Sequence, residues 1–119
     1  MSVVTANTLA QLIKSAIDNL NSKMVFGKVI ATSKSQIEVG CVRIEVCIKR
    51  LLRKLLKFSK DGFKAEVTDV SIVPVDGKWR IILKLVLKKC DIVRPKVSRI
   101  ESVHLEEERK GWKLDISYI

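Results

Sequence analysis

The chain has 119 residues, 47% hydrophobic and 30% charged, a length and balance that support one folded domain with a modest core and give no sign of disorder. Lysine and arginine number 23 against 13 aspartate and glutamate, a formal charge of +10 that repels copies of the chain from one another and attracts phosphate backbones or anionic surfaces. No apolar run approaches the ~20 residues of a membrane span and no leader pattern opens the chain, so no membrane span and a cytoplasmic location are expected.

Cys41, Cys47 and Cys90 are odd in number and form no Cys-x-x-Cys pair, which points to buried free thiols and away from a disulfide framework or zinc site. Few Asn and Gln beside much Lys, Val and Ile lean toward a thermophilic source.

In chain order, Thr8-Leu9-Ala10-Gln11 matches a capping box, and Leu9, Leu12, Ile13, Ala16, Ile17 and Leu20 follow at helical spacing. This predicts a first helix from about Thr8 to Asn21, polar on its other side and therefore laid on a sheet. Met24 to Ala31 reads as a strand, Thr32-Ser33-Lys34-Ser35 as a turn and Gln36 onward as a second strand, together a hairpin. From Cys41 to Ile48 both helix and strand are conceivable. A helix would put Glu45 among apolar positions, whereas Val42, Ile44, Val46 and Ile48 alternate cleanly with Arg43, Glu45 and Lys49, which favours a strand to about Val46. The change of apolar parity between Cys41 and Val42 is read as a β-bulge at Gly40.

From Ile48 the period changes. Ile48, Leu51, Leu52, Leu55, Leu56 and Phe58 form one helical stripe and Lys49, Arg50, Arg53, Lys54 and Lys57 the opposite one. This second helix ends near Asp61-Gly62, lacks a good N-cap and carries cations at its positive end, so packing has to hold its first turn. Four strand-like runs follow, Phe63 to Val73, Lys78 to Lys89, about Val97 to Glu107 and Trp112 to Tyr118, with Arg94-Pro95 marking the connection before the third. In the second run Trp79, Ile81, Leu83, Leu85 and Leu87 share one face, while Lys78, Arg80, Lys84 and Lys88 lie on the other. The last run alternates Trp112, Leu114, Ile116 and Tyr118 with Lys113, Asp115 and Ser117. Asp76-Gly77 and Arg109-Lys110-Gly111 suit hairpin turns. The expected fold is α+β in the order α-β-β-α-β-β-β-β, a curved antiparallel sheet covered on one face by two helices, with the C-terminal half forming a single sheet.

That element order, together with Gly111-Trp112-Lys113-Leu114-Asp115 and Asp76-Gly77-Lys78-Trp79, resembles the cone-shaped nuclear-transport-factor-2-like superfamily and, more loosely, cystatin-like domains. The resemblance implies a pocket inside the cone and dimerisation through the sheet. It implies no reaction, because the acids, His or Tyr of catalytic members have no matched positions here, and the helical pair usual before the first strand is reduced to one helix.

The densest local feature is the basic segment Arg43 to Lys64. Within it Lys49, Arg50, Arg53, Lys54, Lys57 and Lys60 are the expected polyanion-binding residues, aligned to neutralise several phosphates of DNA or RNA at once. The plainer reading is the solvated face of an amphipathic helix, and a membrane-surface helix is disfavoured because the core needs its leucines. Arg80, Ile82, Lys84, Val86 and Lys88 form a second surface, spaced about 6.6 Å apart along the strand, that suits a nucleic-acid backbone but better suits a homodimer contact. Trp79 and Trp112 share parity with core residues and are expected to pack inward. His104 near Glu101, Glu106, Glu107, Glu108 and Asp115 is too isolated to assign to catalysis, and Glu106-Glu107-Glu108 reads as a charged hairpin tip. No cofactor, metal or catalytic residue is expected, and the leading reading is a non-enzymatic domain that binds nucleic acid or another polyanion with little sequence selectivity, with a ligand-binding cone and a homodimeric interaction module as alternatives.

Overall fold

The computed structural model describes residues 3–119 and has the expected α+β class, two helices with antiparallel strands. The elements are α1 (Val3–Ser22), β1 (Met24–Phe26), β2 (Val29–Cys41), α2 (Ile44–Lys60), β3 (Phe63–Val75), β4 (Lys78–Cys90), β5 (Val93–Pro95), β6 (Ile100–Glu108) and β7 (Gly111–Tyr118). β2, β4 and β3 form one sheet in that order, β6 and β7 a hairpin of their own, and β1 pairs with the short β5. The four strands of the C-terminal half are therefore divided between sheets. Arg94-Pro95 is not a plain connection but part of β5, paired with Met24 and Val25.

Alternation along β4 makes the sheet two-faced. Ile81, Leu83, Leu85 and Leu87 are buried together with Ile37 and Val39 of β2 and Ala65 of β3. Both helices lie on this face: α1 against β3 and β7, α2 against β2, β3 and β6. Leu9, Ile13, Ile17 and Leu20 of α1 and Ile48, Leu51, Leu52 and Leu55 of α2 complete one continuous core. Trp79 and Trp112 pack against it, as their parity predicts.

Three local expectations need correction. The predicted hairpin within 24–41 is absent, because β2 runs unbroken and Thr32, Ser33, Lys34 and Ser35 pair with Lys88, Leu87, Val86 and Leu85 of β4. Their polarity belongs to an edge strand whose first half lies outside the core, a composition hard to separate from a turn in sequence. The strand predicted to Val46 also fails: β2 stops at Cys41 and α2 starts at Ile44. Gly40 opposes Arg80 without a bulge, so the parity change marks the passage from strand to helix. Finally, α1 begins before Thr8, which lies inside the helix and is not its cap.

Glycine serves different needs at Gly77, where the backbone turns, and at Gly27, where another residue comes close. Asp76 and Gly77, both at positive φ, turn β3 into β4. A Cβ on Gly27 would lie 2.0 Å from Asp91 Oδ1, where the Lys28 backbone N–H donates to Asp91 Oδ1 at 2.7 Å and closes the junction of β1 and β5.

Tyr118, on the inner face of β7, has a buried hydroxyl with no partner among the described residues, and burial pushes its phenol pKa up. Stability from the neutral phenol is complete below the ordinary tyrosine value of about 10 and falls as pH rises above it. Tyr118→Phe should raise stability in urea by ~1 kcal/mol at neutral pH and remove part of the alkaline loss.

Candidate functional site

The site grows from the second helix. Burying Ile48, Leu51, Leu52, Leu55 and Leu56 leaves Arg50, Arg53, Lys54, Lys57 and Lys60 exposed. From Arg50 to Lys60 the face extends about 15 Å at 1.5 Å per residue. Arg50 Nη1 donates to the Gly40 carbonyl at 3.3 Å and Lys60 Nζ to the Ser98 carbonyl at 2.9 Å. The side chains of Arg53, Lys54 and Lys57 have no hydrogen-bonded or ionic partner among the described residues. Of the predicted set, Lys49 stands apart: it is half-buried on the flank facing β6, where Nζ donates to the Glu101 carbonyl at 3.3 Å.

The helix start is held covalently. Its N-cap, Arg43, makes no capping hydrogen bond, and Arg43 Nη2 instead meets Glu45 Oε2 at 2.9 Å in the first turn. Cys41, the last residue of β2, and Cys47 form a disulfide with Cα atoms 5.6 Å apart, which corrects the expectation of free thiols at these two positions. Neither the odd count nor the spacing of the cysteines signals the pair, because it depends on a strand ending where the helix begins. Cys90 is free and buried, as expected.

Shallow hollows border the helix on both flanks. One of about 410 Å³ is lined by Gly40, Cys41, Val42, Arg43, Val46, Arg50 and Lys78. It shares Arg50 with a hollow of about 310 Å³ lined by Glu38, Val39, Gly40, Arg50, Arg53 and Lys54. Beyond Arg53, a third of about 290 Å³ lies among Leu56, Lys57, Lys60, Ser98, Arg99 and Ile100. Lys78 and Arg99 thus join the basic surface from outside α2; alternation marks Lys78 as outward-facing on β4, but no local pattern in the sequence places either residue beside the helix. Beside the first turns of the helix, Glu45 is taken by Arg43 and Glu38 by Arg80.

The second predicted surface differs. Arg80, Ile82, Lys84, Val86 and Lys88 do share the outward face of β4, with Ile82, Val86 and Lys88 half-buried. Arg80 is bonded to Glu38, and Lys88 Nζ lies 2.9 Å from Glu66 Oε1. Lys84, by contrast, borders an open hollow of about 580 Å³ with Lys34, Gln36 and Thr68. The hydrogen bond from Arg80, reinforced by its charge, holds the Glu38 carboxyl below the usual glutamate range. His104 is exposed, 4.0 Å from Glu106, and among the described residues no cluster of His, Cys, Asp and Glu could hold a metal. Among the described residues no helix is long and apolar enough to cross a membrane.

No protein-family model matches the chain, and no curated protein is similar to it in sequence.

Two outcomes follow from these contacts. Reduction with dithiothreitol should lower stability in urea by ~2 kcal/mol, the value for so short a loop, and leave a Cys41→Ala/Cys47→Ala variant unchanged. By NMR, Glu38 should titrate below ordinary glutamate and return toward it in Arg80→Met; the pair's contribution holds above the unfolded glutamate pKa of about 4.3 and is lost as pH falls through the lower folded value.

Proposed function

We propose that this protein binds nucleic acid or a similar polyanion through the exposed face of α2, without enzymatic chemistry and with little sequence selectivity. The observation that carries the reading is the alignment of Arg50, Arg53, Lys54, Lys57 and Lys60 on one solvent-facing surface with no carboxylate paired to any of them among the described residues. Unpaired cations in register release condensed counterions when they meet phosphates, and that release drives binding. The outward face of β4 supports the same role less well, because Arg80 and Lys88 already have acidic partners.

Selectivity among sequences needs side chains that read base edges, and arginines and lysines meeting phosphates supply affinity and orientation instead. A surface making about five phosphate contacts should lose affinity by a few hundred-fold between about 50 and 200 mM salt. Titration of labelled DNA and RNA checks this. Arg53→Glu together with Lys54→Glu should weaken binding on the order of tenfold or more and flatten the salt slope by about two units. Salt-independent binding, or an unaffected double variant, removes the proposal.

A further inference from the structure

Resting on the polyanion reading above, we infer that α2 is shaped for double-stranded DNA: it seats in the major groove, and the phosphates of the two strands enter the hollows on its two flanks. One flank is bounded by Glu38, Val39 and Gly40 of β2, the other by Ser98, Arg99 and Ile100 at the start of β6. Lys54 belongs to the first and Lys57 to the second, while Arg53 borders both. The helix is thus a ridge between two cationic troughs. A single strand offers one line of phosphates, whereas a duplex groove offers two with a gap between them. A helix with its side chains is about 10–12 Å across, matching the ~12 Å major groove of B-form DNA. The deep, narrow major groove of duplex RNA does not admit side chains in this way.

The aromatic residues point the same way. Phe26, Phe58, Phe63, Trp79, Trp112 and Tyr118 are all the Phe, Trp and Tyr of the chain, and every one packs against the core. Proteins that prefer single strands stack unpaired bases on exposed aromatic rings, and this surface has none to offer. What remains is attraction to phosphate, which favours the polymer with more charge per length. A duplex carries one charge per ~1.7 Å of axis, about twice the density of one of its strands.

The test compares three labelled probes of one arbitrary sequence, each about two helical turns long: a DNA duplex, its single strand and the corresponding RNA duplex. Anisotropy at fixed salt should show the DNA duplex bound on the order of tenfold more tightly than either of the others. Lys54→Gln and Lys57→Gln, one in each trough and both at exposed positions, should each reduce the salt slope for the DNA duplex by about one unit. Equal binding of duplex and single strand, or RNA duplex bound as well as DNA duplex, overturns the groove assignment and leaves polyanion binding standing. A loss at only one of the two lysines overturns the two-strand arrangement. Binding to none of the probes overturns this inference and the reading on which it rests.

Discussion

Burial of one leucine stripe decides what α2 presents to solvent. At about 100° per residue, seating Ile48, Leu51, Leu52, Leu55 and Leu56 in the core leaves the intervening arginines and lysines nowhere to point but outward. The stripe also fixes the helix between β2 and β6, so the cations are displayed on a rigid element with a neighbour on each flank. Lys57 and Lys60 in the last turn sit favourably at the negative end of the helix dipole. The opposite end has Arg43 and no capping side chain, and there the Glu45 pair and the disulfide to Cys41 offset the deficit.

The excess of positive charge is not spread evenly over the molecule. On the outward face of the three-stranded sheet, cross-strand geometry sets Glu38 near Arg80 and Glu66 near Lys88, so cations there are partly matched by the chain's own acids. On α2 no carboxylate stands at the spacings that would pair with Arg53 or Lys54, and Asp61, four residues after Lys57 at the C-cap, makes no ion pair with it. Two basic stripes that look alike in composition therefore differ in what they have left for a partner.

Strong local periodicity carried across to the structure wherever it was long. The alternation in Lys78 to Lys88 reappears as β4, and the stripe from Ile48 to Phe58 as most of α2. Errors fell where two local signals compete. Thr32 to Ser35 carries the chemistry of a turn, yet the backbone there is held extended by pairing with β4, a partner about fifty residues away whose register local chemistry does not encode. Val42 to Val46 has the alternation of a strand, but Cys47, Ile48 and Leu51 are buried on one helical face and draw the preceding turn into the helix.

From the sequence alone come the α+β class, the two-faced β4, the amphipathic α2 and, Lys49 apart, the identity of its exposed cations, because each depends on the periodicity of neighbouring residues. Only the tertiary structure decided that β2 is continuous, that Cys41 and Cys47 are joined, that Lys78 and Arg99 stand beside α2, and that Arg80 and Lys88 have acidic partners while Arg53, Lys54 and Lys57 have none among the described residues. These depend on distances between distant parts of the chain, and such distances exist only once the helices have closed on the sheet.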